Sequence, residues 1–245
     1  MVARLLDRQI SLLEYLTSSD AIFGADSPAF PDRALQGFDP GLLRLEASFS
    51  HEKRMEKIHA VFPHTFRLLG HARAEVVRNF TEAFPPIDIS RVGNARQFHE
   101  FLCATWRSSP PAPPYMGDVA ACEIAFAKAR VQSGADELAP AGSRRPSRGA
   151  IRRHPGVVLL RCEYDVRPIF EAQGQDVVPV KRETLLATLV PPHAQHPQAF
   201  EVLPLVFDFL TLLDDWTARS ELAFGHESNE LICELAEHAL VEVRL

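Results

Sequence analysis

Histidine is the residue type in this chain that comes closest to a metal-binding pattern. Four histidines follow one another in the N-terminal half, and helical spacing can align some of them as ligands of a zinc-type site: His51, His59, His64 and His71. The run that starts at His51 continues with Glu52, Lys53 and Arg54, which is typical of a solvated helix face. We therefore interpret these histidines as structural, and interpret His193 and His196, in a proline-rich loop, in the same way.

Carboxylates and thiols offer no better catalytic pattern. Asp214 and Asp215 are adjacent, so on a helix their side chains point in different directions. Cys103 and Cys122 lie on predicted apolar helix faces, where an unactivated thiol behaves as a small hydrophobic group. The sequence contains no CxxC pair and none of the motifs GxGxxG, GxxxxGK[ST], GxSxG and HExxH. We therefore predict that the chain is not an enzyme on its own and that it holds no cofactor or metal.

Composition and charge indicate a globular chain whose charge is unevenly distributed. The chain has 245 residues, of which 46% are hydrophobic, and its net charge is −6. It contains no apolar run of membrane-spanning length, and charges interrupt the apolar residues at its N-terminus, so we expect a cytoplasmic protein without a membrane segment. Residues 157–245 hold 6 basic and 15 acidic residues, a net charge of −9, whereas residues 133–156 hold 5 basic and 2 acidic residues.

Residues 1–132 are predicted to form an all-helical bundle. Apolar residues recur at helical spacing from Leu5 to Leu16 and again from Leu42 to Phe62. Prolines and other boundary signals delimit three further predicted helices, His71–Phe84, Ala95–Trp106 and Tyr115–Val131. Residues 133–156 are rich in glycine, proline, serine and arginine, and we predict that they form a flexible basic linker.

Residues 157–245 are predicted to form a small winged-helix-like module. Short apolar runs with β-branched residues predict strands over Val157–Tyr164 and Thr184–Val190, and a third over Ala199–Leu203. Helices are predicted over Leu205–Leu213 and Ser228–His238. The predicted fold class is therefore α+β, in which a helical bundle precedes a three-stranded antiparallel sheet with helices.

The third predicted strand offers a binding site that needs no catalytic side chain. If it is an edge strand, an extended peptide can add to it through backbone hydrogen bonds, while side-chain pockets supply specificity. Phe200 and Val202 would flank Glu201 on this strand, and the last helix would offer apolar contacts through Leu231, Ile232 and Leu235. The alternative is that these apolar residues belong to the core, as most apolar residues do.

Two proline-containing segments with aromatic residues, Phe62-Pro63 and Pro114-Tyr115, mark corners of the helical region. They belong to a series of short motifs in order along roughly residues 40–130: Val61-Phe62-Pro63, Leu69-Gly70, Asn79-Phe80, Phe84-Pro85-Pro86, Arg91-Val92-Gly93, Phe98, Phe101-Leu102, Pro114-Tyr115-Met116-Gly117-Asp118-Val119-Ala120 and Glu123. This series resembles the HvfC/BufC family. The two-part layout is similar to the partner subunit of thiaglutamate biosynthesis and, further off, to that of methanobactin biosynthesis.

The resemblance implies a role beside an enzyme. Members of this family are partner proteins of multinuclear non-haem iron oxygenases, which modify cysteines in ribosomally made peptides. The resemblance also likens the C-terminal module to the winged-helix-like recognition elements that hold leader peptides. We therefore expect a heterodimer with such an oxygenase, a precursor or carrier peptide as the second partner, and iron in the partner enzyme. The exposed members of Tyr115, Met116 and Asp118 are predicted partner contacts, since their segment begins a helix after a stiff proline run. The alternative is that Tyr115 fills the core between helices.

Two other classes of function are open to the sequence. A winged-helix transcriptional regulator would bind DNA through its last helix, but Glu230, Glu234 and Glu237 crowd that helix and would repel phosphates. We therefore expect no nucleic-acid partner. An independent metalloenzyme would need the N-terminal histidines as ligands and would carry stoichiometric metal.

Overall fold

The computed structural model describes residues 5–24, 33–133, 149–172, 177–191, 193–222 and 227–244. The chain divides into two units, which we call unit 1 (Met1–Gly117) and unit 2 (Asp118–Leu245). Among the described residues, no helix is both long and apolar enough to span a bilayer.

Unit 1 is built from helices. Its α-helices are α1 Leu5–Thr17, α2 Ser19–Phe23, α3 Pro40–His59, α4 Pro63–Leu69, α5 Arg73–Ala83 and α6 Arg91–Ser108. Capping explains where the two longest ones start: the Asp39 carboxylate accepts from the amide of Gly41 at the start of α3, and the Ser90 hydroxyl accepts from the amide of Gly93 at the start of α6. Pro40 and Pro63 occupy first-turn positions, where a missing N–H costs nothing.

The core of unit 1 is a cluster of phenylalanine rings. Phe98 lies at its centre, with ring centroids 5.4 Å from Phe62, 5.3 Å from Phe66 and 5.1 Å from Phe80. Edge-to-face and offset-stacked pairs at such distances stabilise a core beyond the area that they bury. The Phe62-Pro63 corner is therefore a packing feature, since Phe62 is buried and Pro63 starts α4.

Unit 2 combines helices with two small antiparallel sheets. In chain order its elements are α7 Met116–Ser133, which begins at the boundary of the units, β1 Ala150–Arg153, β2 Val158–Asp165, α8 Arg167–Glu171, β3 Val180–Leu189, β4 Gln198–Glu201, α9 Pro204–Leu212, β5 Thr217–Ala218, α10 Glu227–Glu237 and β6 Val241–Val243. The first sheet has the order β2-β3-β4 and the second the order β5-β1-β6.

The predicted α+β class is confirmed, and the three predicted strands form the β2-β3-β4 sheet. The second sheet was not predicted. Its central strand β1 lies inside the stretch 133–156 that we predicted to be a linker, so that prediction is wrong for residues 150–153, while residues 134–148 lie outside the described residues. The prediction failed there because Ile151 is the only large apolar residue of β1, so no apolar pattern marks the strand. Ile151 is nevertheless fully buried, between the paired strands β5 and β6.

Strand β3 is covered on both faces, which is why Thr184 to Leu189 are all buried. Ala187 and Leu189 belong to an aliphatic cluster with residues of α9 and α10 such as Phe209 and Ile232. α7 contacts the same sheet through the thiol of Cys122, which hydrogen-bonds Cys162 of β2. A continuous apolar run is the sequence pattern expected of such a strand.

Candidate peptide-binding site

Strand β4 lies at an edge of its sheet, and the backbone groups of two of its residues face away from the neighbouring strand β3. It pairs with β3 in the register Ala187↔Phe200 and Leu189↔Gln198, and the amide of Val202 donates to the carbonyl of Leu185 at 2.9 Å. Backbone groups in an antiparallel pair alternate between facing the partner and facing away. The backbone N–H and C=O groups of Phe200 therefore bond to β3, whereas those of Ala199 and Glu201 face away from it.

Exposed apolar side chains accompany this edge. Phe200 is 41% exposed, and Leu203 and Leu205, which follow the strand and begin α9, are 72% and 84% exposed. Val202, in contrast, is partly buried against the aliphatic core. The edge therefore offers backbone hydrogen-bonding groups together with an apolar surface, the two features that bind an extended peptide by strand addition.

The predicted contacts from α10 lie deeper than the surface. Ile232 and Leu235 are buried in the aliphatic core, and Leu231 packs against that core while remaining partly accessible. Ile232 and Leu235 thus support the sheet from behind. The side chains that accompany the edge at the surface come instead from the start of α9, Leu203 and Leu205, which the sequence analysis did not select because no local pattern shows which apolar residues stay exposed.

An ionic cluster of four residues holds β4 in place, and no sequence pattern predicted it. Arg167 donates to Asp165 at 2.8 and 2.6 Å and to Glu201 at 2.6 Å, while Arg182 donates to Asp165 at 2.8 Å and also to Glu201. We call these four residues the ionic cluster. They come from β2, α8, β3 and β4, so only the folded sheet brings them together.

The ionic cluster fixes the charge state of its carboxylates. Hydrogen bonds from Arg167 and Arg182 lower the pKa of Asp165 to about 2, and Arg182 likewise lowers the pKa of Glu201. Because both oxygens of the Glu201 carboxylate already accept from arginines, its side chain is occupied within the sheet. A peptide at this edge would therefore meet the backbone of Glu201, with Phe200 on the opposite face.

The other edge of the sheet is partly closed by Asp118. Its carboxylate accepts from the amide of Tyr164 at 2.9 Å and from that of Glu163, at the point where the register of β2 and β3 shifts. Burial raises the pKa of Asp118, and these backbone hydrogen bonds oppose the rise. Asp118 thus satisfies backbone donors of β2, which leaves β4 as the more open edge.

The other predicted partner contacts are not strongly exposed. Met116 is fully buried, and Tyr115 is half-buried at the start of α7. Neither residue therefore presents a large surface in the described structure. The signal that selected them, a proline run before a helix, marks the start of α7.

An open groove of about 680 Å³ lies across β2 and β3 beside the register shift. Its lining carries three basic and two acidic residues and one cysteine: Arg161, Cys162, Glu163, Lys181, Arg182 and Glu183. Arg161 donates to Glu183 at 2.8 Å, and Arg182 belongs to the ionic cluster, so most of this charge is compensated within the sheet. The groove has the composition of a solvated sheet surface.

The N-terminal histidines have separate packing partners. The ring of His59 packs on Phe66, that of His51 meets Phe23 edge-on, and His64 lies beside Arg67. Burial lowers the pKa of His51 and of His64, which favours the neutral ring. Within the described residues, no three His, Cys, Asp or Glu side chains are grouped as a metal site would require.

Comparison with known proteins adds no relative. No family model matches the chain, and no curated protein matches it significantly. The resemblance to the HvfC/BufC family therefore stays a prediction that rests on the motifs given above.

Proposed function

We propose that this chain is a non-catalytic partner subunit that binds a ribosomally made precursor or carrier peptide along β4 and presents its cysteine to a multinuclear non-haem iron oxygenase. The observation that carries the peptide part is the edge itself: outward backbone groups at Ala199 and Glu201 beside the exposed side chains of Phe200, Leu203 and Leu205. The resemblance of residues 40–130 supports the oxygenase part.

The physical benefit of such a subunit is effective concentration. A peptide held by its leader on one protein reaches an enzyme bound to that protein as a nearly intramolecular substrate. Since the contacts at β4 are mainly backbone hydrogen bonds, they tolerate variation in the modified part of the peptide. Iron chemistry then belongs to the partner enzyme, and this chain contributes binding and orientation.

The alternative, a DNA-binding regulator, has less support. In α10 the exposed positions include Glu230, Glu234 and Glu237, so the helix that would enter a DNA groove presents carboxylates to the phosphates. A salt-dependent complex of the full chain with duplex DNA would favour this alternative over the peptide-binding role.

The peptide role is tested by fluorescence anisotropy with a labelled, cysteine-bearing precursor peptide, chosen from the short reading frames next to the gene for this chain. Ala199→Pro removes an outward-facing N–H and leaves the β3–β4 hydrogen bonds in place, so we expect affinity to fall about 3- to 10-fold. Phe200→Ser removes apolar contact, and we expect a loss of about 5- to 30-fold. Val131→Ser, at an exposed apolar residue of α7, is the matched control and should bind as the original chain does.

The proposal fails if the two edge variants bind the peptide as tightly as the control. A second measurement addresses the enzyme: co-purification and light scattering of the chain with the iron oxygenase should give a heterodimer. Absence of a stable complex would overturn the partner role, whatever the peptide result.

A further inference from the structure

The loop between α5 and α6 displays two isoleucines to solvent. Ile87 is 78% exposed and Ile89 is 87% exposed, and only Asp88 separates them in a segment outside the helices. We call residues 85–90 the isoleucine loop. Single exposed apolar residues are ordinary, but two large β-branched side chains on a six-residue loop form a small apolar projection, which is typical of a binding element.

The backbone of the isoleucine loop is held by side chains from unit 1. The side-chain amide of Gln97 donates to the carbonyl of Pro85 at 3.1 Å, and the side-chain amide of Asn94 donates to the carbonyls of Asp88 and Ser90 at 2.9 and 2.8 Å. Lys57 donates to the carbonyl of Ile89 at 2.7 Å. Four of the six carbonyls in the loop thus have a side-chain donor.

Arg54 fixes the orientation of both amides from behind the loop. Its guanidinium donates to the Asn94 oxygen at 3.0 Å and to the Gln97 oxygen at 3.2 Å, and it lies 4.4 Å from the centroid of the Phe80 ring. Because each amide oxygen accepts from Arg54, each amide nitrogen must face the loop.

Burying this arginine is costly. Arg54 is 7% exposed, and burial lowers its pKa to about 10, so it stays charged at neutral pH. Its two acceptors are neutral amides. A buried cation committed to orienting two amides gives the loop one defined shape, and a preordered binding element loses less conformational entropy when it binds.

The charges around the loop are mainly positive. Lys57 binds the carbonyl of Ile89, and Arg91 follows the loop directly in the chain. The one carboxylate of the loop is Asp88, whose pKa is lowered by a hydrogen bond from the Ser90 hydroxyl and by the nearby charge of Arg96. Three cations against one anion leave a net positive rim. The complementary surface is therefore an apolar pocket bordered by carboxylates.

We propose that the isoleucine loop is the element by which unit 1 docks on its partner protein, with Ile87 and Ile89 inserted in an apolar pocket that has an acidic rim. This inference rests on the proposed function, under which that partner is the iron oxygenase. It moves the principal contact away from Tyr115 and Met116, which are half-buried and buried, to the most exposed apolar side chains of the loop region. Paired apolar anchors that become desolvated are typical hot spots of an interface.

Isothermal titration of the full chain with the iron oxygenase tests the proposal. The double variant Ile87→Ser/Ile89→Ser should weaken binding at least about 30-fold, the size of a hot-spot loss. The matched control is Leu42→Ser/Leu45→Ser, which changes two exposed leucines of α3 in the same unit and should bind within about threefold of the original chain. Arg96→Glu should slow association and reduce its dependence on salt.

Each outcome has a defined meaning. If the isoleucine variant binds the oxygenase as tightly as the control, the docking proposal is overturned and the proposed function stands. If the original chain forms no complex, both are overturned. If the original chain is a dimer that the isoleucine substitutions make monomeric, the occupant is a second copy of the chain and our assignment is wrong. Peptide affinity at β4 should be unchanged in the double variant, and a loss there would indicate a structural role for the loop.

Discussion

The isoleucine loop of unit 1 and strand β4 of unit 2 both display apolar side chains, but different polar groups hold them. In unit 1 a buried arginine works through neutral amides, whereas in unit 2 the ionic cluster joins two arginines to two carboxylates near the surface. The first arrangement is shielded from solvent and salt, and the second is open to both. Two electrostatic arrangements therefore fix an exposed segment in this protein, and they differ in their sensitivity to salt and to pH.

The largest effect is expected at the buried arginine. Arg54→Met leaves the amide oxygens of Asn94 and Gln97 without their donor in a buried setting, which should lower the free energy of unfolding by about 2–4 kcal/mol. Urea denaturation followed by circular dichroism measures it. Arg96→Met, at an exposed position of α6, is the control and should change stability by less than about 0.5 kcal/mol. Equal effects for the two variants would mean that the network does not hold the loop.

The next largest effect is expected at the buried thiol of Cys122, which contacts Cys162 in the β2-β3-β4 sheet of unit 2. A hydrogen bond with Cys162, together with burial, raises the pKa of Cys122, so the buried thiol stays protonated. Cys122→Ser places a more polar hydroxyl there and should cost about 1–3 kcal/mol in thermal or urea unfolding. Cys103→Ser, at an exposed cysteine of α6, should be nearly neutral. A neutral Cys122→Ser would show that α7 does not seal this face.

The ionic cluster should make unit 2 sensitive to acid. Its carboxylates have lower pKa values in the folded than in the unfolded chain, so their contribution is complete above the unfolded values near pH 4 and is lost as the pH falls through the folded values, about 2 for Asp165. On acidification from pH 5 towards the folded pKa of Asp165, about 2, the free energy of unfolding of the original chain should fall by about 1–2 kcal/mol more than that of Asp165→Asn. This figure allows for solvent screening of the ion pairs.

The control for that measurement is Asp214→Asn, which removes an exposed carboxylate that pairs with Arg153. Its pH dependence should follow that of the original chain. If the Asp165→Asn variant shows the same acid slope as the original chain, the ionic cluster contributes nothing measurable to stability.

Salt should produce the smallest difference between the two regions. At 1 M NaCl the protection of the Val202 amide against hydrogen exchange should fall about two- to fivefold, because screening weakens the ion pairs that hold β4. The backbone amide of Asn94, which donates to the carbonyl of Ser90 beside the buried Arg54 network, should keep its protection against exchange. Equal loss of protection at both amides would remove the distinction between the shielded and the exposed arrangement.

Several elements could be predicted from the sequence because their signals are local. The apolar spacing of Leu5 to Leu16 predicted α1, and the β-branched runs predicted β2 and β3. Strand β1 was missed because its burial is decided by pairing with β5 and β6, which lie more than sixty residues further along the chain. Phe200 and Glu201 were predicted on a third strand, but the arginines that hold Glu201 come from α8 and β3, and no local pattern joins them.

Local sequence signals were enough to predict the helical corner at Phe62-Pro63, the α+β class and the position of β4, since proline geometry and apolar periodicity act over a few residues. The tertiary structure alone decided which apolar residues face solvent: it buries Ile232 and Leu235 and leaves Leu205 and Ile89 exposed. The physical reason is that exposure depends on what packs against a side chain. Residue type and spacing state how apolar a position is, and only the folded chain determines whether another part of the protein covers it.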